Sequence, residues 1–201
     1  MLLLPYIQGH RFVTATLFLA IPLAGVYAAS YNKRATIVAV ILVIPTIVTG
    51  TDFNLDTDIF SAYLSHLSDV AFYGYTSAVV LAFVLRQKTI TADTIYGALS
   101  VYLLLGVTWT FAYSAVDDLA PGSFFVDTAY NPDGLLRRVD LFYYSFVTLT
   151  TLGYGDILPI TPQARMLAVL EAVCGVLYTA TLVASLIGRM KFRSETDDAG
   201  G

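Results

Sequence analysis

The sequence predicts an all-α membrane protein with about five transmembrane helices per chain. Three observations predict it. Hydrophobic residues make up 57% of the 201 residues and charged residues only 13%, which is too apolar for a soluble domain of this length. The apolar residues gather into runs close to the ~20 residues that a spanning helix needs. When those runs are counted as spans, the clusters that close them, Lys33-Arg34, Arg86 with Lys88, and Arg189 with Lys191 and Arg193, fall on one side, as the positive-inside rule asks of cytoplasmic ends.

The first expected span is Phe12 to Ala29, closed by Tyr31-Asn32-Lys33-Arg34. The second, Ala35 to Gly50, is short and carries Pro45, so it is either kinked or incompletely spanning. Asp52, Asp56 and Asp58 form an acidic connector, and Phe60 to Leu67 suits a short interfacial helix. The third span is Ser68 to Leu85, stopped by Arg86-Gln87-Lys88. Thr89 to Thr94 reads as a polar connector. The fourth span is Ile95 to Val116, and a loop rich in Asp, Pro and Gly follows it. The last span runs from Pro162 to about Gly188, with a tail expected to be disordered beyond Arg193.

The span Asp69 to Leu85 contains no Arg or Lys, whereas a voltage sensor needs arginines in register along one helix. Residues 1–94 are therefore expected to form an N-terminal three-helix membrane segment without voltage-sensing charge. A net charge of −4 and the lack of a basic stretch argue against a nucleic-acid partner. Cys174 is the sole cysteine, which excludes an intrachain disulfide and a cysteine zinc site; it is expected to pack as a small apolar residue. His10 and His66 are isolated, so no metal site is expected from them. Met1-Leu2-Leu3-Leu4-Pro5 lacks the basic start of a cleaved signal peptide. No nucleophile–base pair suggests an enzyme, and no cofactor is implied.

The stretch richest in information is Thr148-Leu149-Thr150-Thr151-Leu152-Gly153-Tyr154-Gly155-Asp156. A dehydrated cation needs a cage of oxygens, which a pore can build from inward-facing backbone carbonyls. Turning successive carbonyls the same way forces left-handed backbone angles, and glycine adopts them at little cost. The alternation Gly153-Tyr154-Gly155 suits such a ladder. Thr151 can add its hydroxyl to its carbonyl, and Tyr154 is left to point away and brace the ladder.

This stretch resembles the potassium-channel signature T-x-x-T-x-G-Y-G-D at every defined position. Residues 95–190 look like the pore domain of the two-transmembrane potassium-channel superfamily, and the chain is similar to small bacterial ion-channel-family proteins with extra N-terminal helices. The resemblance implies an outer helix over 95–116, a turret over 117–138, a pore helix over 139–150, a filter over 151–155, an inner helix over 162–190, and a short cytoplasmic tail over 191–201. It implies potassium ions at Thr151, Leu152, Gly153 and Tyr154, with Gly155 closing the ladder. One chain supplies one filter strand, so three further copies of the chain complete a homotetrameric pore in lipid. The filter loop would then be extracellular in the cell membrane, the C-terminus cytoplasmic and the N-terminus extracellular.

Around the filter, Tyr143 and Tyr144 occupy positions that carry aromatic residues in the family; they are either a cuff bracing Tyr154 and Asp156 or membrane-interface tyrosines. Val147 stands where some members place a carboxylate, so Asp156 needs another partner, for which Tyr144 is the candidate. Asp140 lies in the first turn of the expected pore helix, where a carboxylate favours the helix dipole.

Along the inner helix, Ala172, Val176, Thr179, Val183 and Ile187 form one stripe matching the family's cavity-lining face, with Val183 and Ile187 suited to a hydrophobic gate. Gly175 lies at the family's hinge position and either bends the helix or allows close packing. Glu171 falls off the lining stripe. A carboxyl in a membrane helix is expensive; it is either a proton sensor or a structural tie, with Thr148, Thr150 or a tyrosine as its expected partner. The leading reading is a potassium-selective channel. A non-selective cation channel, a regulatory subunit and a coupled transporter are the rivals.

Overall fold

The computed structural model describes residues 37–44, 59–87, 91–129 and 131–198, the side chains of 59–61 and 186–198 excepted. The first expected span, most of the second, and the acidic connector lie outside the described residues. Within the second, residues 37–44 are helical.

Three described helices are long and apolar enough to cross a membrane: Ala62–Arg86, Ala92–Leu119 and Pro162–Ser185. They mark a multi-pass, all-α membrane protein. The first belongs to α1, Ile59–Arg86, which is one continuous helix. The expected interfacial helix and third span are therefore a single element. No glycine or proline interrupts residues 60–73, and the polar residues there satisfy themselves locally. Ser65 donates to the Ala62 carbonyl and Ser68 to the Ser65 carbonyl, each at 2.7 Å.

Helix α2 covers Ala92–Leu119 and begins earlier than the expected 95. Thr91 caps it: the Thr94 N–H donates to the Thr91 hydroxyl, and the Thr91 N–H donates back to the Thr94 hydroxyl. This reciprocal arrangement satisfies two orphan donors at a helix start. The connector at Thr89–Thr94 thus carries a cap. At the other end Ala120-Pro121 and Gly122, with φ +83°, stop the helix.

Polar residues inside these apolar helices turn their hydroxyls onto their own backbone. Thr76 bonds the Phe72 carbonyl, Ser77 the Tyr73 carbonyl, Thr108 the Leu104 carbonyl and Thr110 the Gly106 carbonyl, at 2.7–2.9 Å. Hydrocarbon offers no water, so this local back-bonding removes most of the cost of carrying them.

Helices α1 and α2 pack along their length. Phe72, Tyr73, Val107 and Phe111 form a core with Ala39 and Val43 of the 37–44 segment. The Tyr73 and Phe111 rings stack with centroids 5.3 Å apart. Further along, Val80 and Val84 meet Ala98 and Val101.

After α2 the chain forms a three-residue strand β1, Phe124–Val126, then the 12-residue helix α3, Arg138–Leu149. Strand β2, Ile157–Pro159, precedes α4, Pro162–Asp198. The expected turret is therefore more than a loop. It contributes β1, which pairs antiparallel with β2 in the register Phe124↔Pro159, Phe125↔Leu158 and Val126↔Ile157. Helix α4 continues past the expected end near 190 and through the tail expected to be disordered, because no glycine or proline occurs between Arg189 and Ala199 to end it. Cys174, expected to pack, is exposed on this chain.

Candidate functional site: a backbone ladder held between three helices

Helix α3 starts where the Asp140 carboxylate accepts the Arg137 N–H at 2.8 Å, placing negative charge at the positive end of the helix. Nine residues later the helix ends, and its last carbonyls are used individually. The Val147 carbonyl accepts both the Leu152 and Gly153 N–H groups, at 2.9 and 3.3 Å. The Thr151 N–H donates to the Thr148 carbonyl at 2.9 Å. The Leu149 carbonyl accepts the Tyr102 hydroxyl from α2 at 3.3 Å. The chain thus folds back on the helix end and leaves it as an extended strip.

That strip has an alternating backbone. Thr151, Gly153 and Gly155 have φ of +58°, +59° and +80°; Leu152 and Tyr154 between them do not share the left-handed region. Thr151 is the sole non-glycine residue there among the described residues. The glycines were legible as left-handed positions, and the threonine was not. Residues 151–155 are all exposed on this chain, Tyr154 at 67%. A Cβ added at Gly153 or Gly155 would meet nothing within 4 Å. The glycines are required by backbone angle, not by lack of room.

The far end of the strip is held by the β1–β2 pair. The Asp127 N–H donates to the Asp156 carbonyl at 2.9 Å, and the Ile160 N–H to the Ser123 carbonyl at 2.8 Å. The Asp156 carboxylate accepts the neighbouring Ile157 N–H at 3.2 Å. Tyr144, expected to serve Asp156, lies beside Thr148 on α3 instead. One turn separates the two on α3, which brings their side chains together. Tyr144 is buried in a triad of edge-on rings with Tyr113 and Phe124, centroids 5.0–5.5 Å apart. Tyr143 packs against the same cluster.

Glu171 is completely buried. Its carboxylate accepts the Tyr113 hydroxyl from α2 in a short hydrogen bond, and the Ser145 hydroxyl from α3 at 2.5 Å. Of the expected partners, Thr148, Thr150 or a tyrosine, the structure supplies a tyrosine, Tyr113, together with Ser145; Thr150 bonds the Phe146 carbonyl instead. Ser145 also lies 2.8 Å from the Gly106 carbonyl. One carboxyl therefore joins α2, α3 and α4. Tyr113, Ser145 and Gly106 were not singled out from the sequence. The signal was present for the first two, which are polar groups inside apolar helices, the same logic that marks Glu171.

Two glycines set how closely the helices approach. A Cβ on Gly106 would come within 2.5 Å of the Phe146 ring, and one on Gly175 would overlap the Leu149 carbonyl oxygen. Of the open alternatives for Gly175, the geometry is that of close packing. Ala172 is half-buried, Val176, Thr179 and Val183 are exposed, and Ile187 lies among the side chains outside the described residues. Among the described residues no group of three or more His, Cys, Asp or Glu is arranged to hold a metal ion.

A family model described as "Ion channel" matches residues 98–191. The inward rectifier potassium channel Kirbac3.1 of Paramagnetospirillum magnetotacticum is 37% identical over 91 residues, covering 43% of this chain and 26% of the relative. The voltage-gated potassium channel Kch of Escherichia coli (strain K12) is 26% identical over 108 residues, 54% of this chain and 24% of the relative. The voltage-gated potassium channel regulatory subunit KCNF1 of Homo sapiens is 30% identical over 92 residues, 45% and 17%. The chain thus spans about a quarter or less of the length of these relatives. No solved structure matches it significantly. The chain has a distant relationship to the potassium-channel superfamily.

Proposed function

We propose that the chain is one subunit of a homotetrameric, potassium-selective channel in the cell membrane. The observation that carries this reading is the alternation of left-handed residues at 151, 153 and 155 within a T-x-x-T-x-G-Y-G-D stretch. Such alternation turns successive carbonyls toward the same side, where a plain strand would alternate them. Four copies around an axis would present rings of oxygen from Thr151, Leu152, Gly153 and Tyr154, replacing the hydration shell of a potassium ion.

Exposure supports assembly. Leu152 and Tyr154 are exposed on the isolated chain, as are Met166, Val169, Val173 and Leu177 of α4. Apolar surface on both the strip and the neighbouring helix suits burial against further copies and lipid. Helix α3 is the pore helix of this reading, and its carbonyl end would favour a cation in a central water-filled cavity. Ala172, Val176, Thr179, Val183 and Ile187 would line that cavity and its gate. Glu171, Tyr143, Tyr144, Thr148 and Asp156 would support the filter. The filter loop faces outward and the C-terminus inward, and the role is transport rather than catalysis.

Purified protein in liposomes tests this by flux under opposed potassium and sodium gradients. Potassium flux well above sodium flux from a tetramer is the expected result. Equal permeability would convert the reading to a non-selective cation channel, and a monomer or dimer in detergent would sink the pore. The likeness to a regulatory subunit favours one second reading, a subunit that works in a mixed channel. A silent homotetramer that alters the flux of a co-reconstituted potassium channel would establish it.

A further inference from the structure

The end of the molecule that carries β1 holds a second buried polar cluster, away from the strip. His66 of α1 is 8% exposed and Asp69, one turn on, is 4% exposed. The His66 Nδ1 lies 3.8 Å from the Asp69 carboxylate, and its Nε2 lies 3.3 Å from the Asp118 carboxylate at the end of α2. Neither approach is aligned as a hydrogen bond. His66 Nδ1, Asp69 Oδ1 and Asp118 Oδ2 are buried without a hydrogen-bond partner, and buried polar atoms are rarely left so.

The two ring nitrogens point to carboxylates on opposite sides. A single metal ion reaches one of those edges, not both, so the cluster does not suit a metal. A neutral imidazole has one N–H to give and two carboxylates to give it to. An imidazolium has two.

We propose that His66 is a proton-operated latch between α1 and α2. Protonated, it donates to Asp69 within its own helix and to Asp118 across the junction, with charge-assisted bonds roughly twice as strong as neutral ones. Unprotonated, it leaves one carboxylate unserved, and the junction loosens. The groups around it fit this role. Asp69 faces it from α1, with Tyr73 near that carboxylate, and Phe111 of α2 covers the ring at 5.9 Å between centroids. Arg138 of α3 sits over the Phe111 ring at 5.7 Å, a positive charge outweighed by two carboxylates. The 37–44 segment brings no titratable group.

The latch has a route to the strip. Asp117, beside Asp118, accepts the Ser123 N–H at 3.2 Å. The Ser123 carbonyl in turn accepts the Ile160 N–H that closes the β1–β2 pair. A firmer end of α2 therefore firms the strand that holds residue 156.

Hydrogen–deuterium exchange of the full chain in lipid nanodiscs tests the latch without requiring conduction. Protection is read relative to the intrinsic rate at each pH, for segments 62–70 and 114–127. From about pH 7.5 to about pH 5, protection of both segments should rise about tenfold in the wild type. His66→Gln should stay at its neutral level throughout, and Asp118→Asn should lose most of the rise in 114–127. An equal rise in His66→Gln, no rise in the wild type, or a full rise in Asp118→Asn would each overturn the proposal. A chain that fails to conduct but shows the expected pattern would overturn the channel reading alone.

Discussion

Gly175 of α4 lies directly against the carbonyl of Leu149, the last residue of α3, with no space for a side chain between them. The same carbonyl takes the Tyr102 hydroxyl from α2. The end of the short helix is therefore gripped from both sides. Gly175→Ala would force backbone apart, an overpacking cost of about 1–3 kcal/mol per chain. A fall of several degrees in the melting midpoint in detergent is expected, with weaker retention of the proposed tetramer. A hinge glycine would instead leave stability unchanged and alter open probability alone.

Glu171 ties α2, α3 and α4 through the Tyr113 and Ser145 hydroxyls. Glu171→Gln keeps one acceptor for Ser145, and the Tyr113 hydroxyl can rotate to accept from the new amide, so a loss of about 1 kcal/mol is expected. Glu171→Leu leaves the buried Tyr113 hydroxyl unserved, at about 1–3 kcal/mol, while Ser145 keeps the Gly106 carbonyl. Denaturation midpoints that rank wild type above Gln above Leu would fit. Leu equal to wild type would remove the tie.

Gly155→Ala tests the strip by backbone angle alone, because space around it is open. A Cβ in the left-handed region costs about 1–2 kcal/mol per residue, repeated in each chain of the proposed tetramer. The expected outcome is loss of potassium-over-sodium selectivity in liposome flux while the protein still assembles. Unchanged selectivity would count against the left-handed ladder.

The β1–β2 pair makes a separate prediction. Ser123 with Ile160 and Asp127 with Asp156 are hydrogen-bonded pairs, so the alternation of an antiparallel ladder makes Phe125 with Leu158 another. Phe125→Pro removes that donor from an exposed side-chain position, at a cost of about 1 kcal/mol. Faster amide exchange at residues 156–160, with α3 unaffected, is the expected result.

The apolar runs and the signature were legible because each is set by local chemistry. The hydropathy of α2 and α4 and the left-handed glycines follow from residues close in sequence. What escaped depends on contacts between distant residues. Tyr113 reaches Glu171 across 58 residues and Ser145 across 26. Nothing in Phe124-Phe125-Val126 identifies Ile157-Leu158-Pro159 as its partner. The left-handed angle at Thr151 carries a cost that the Val147 carbonyl offsets by accepting the next two N–H groups. That tertiary support is invisible residue by residue. Tyr144 illustrates the reverse error: analogy offered Asp156, while the nearer hydroxyl of Thr148, one turn away, was available on the same helix.

The strip from Thr151 to Gly155 resembles a beam built in at both ends. Its inner end is bolted to the Val147 carbonyl and its outer end is zipped to the turret strand through Asp156. A beam held this way deflects most between its anchors, and because Gly153 is itself bonded to Val147 that length is Tyr154-Gly155, where no atom lies within 4 Å of a Cβ added at Gly155. Stress applied at either anchor, by a turn of α4 or by a pull on β1, is thus delivered to the same two residues.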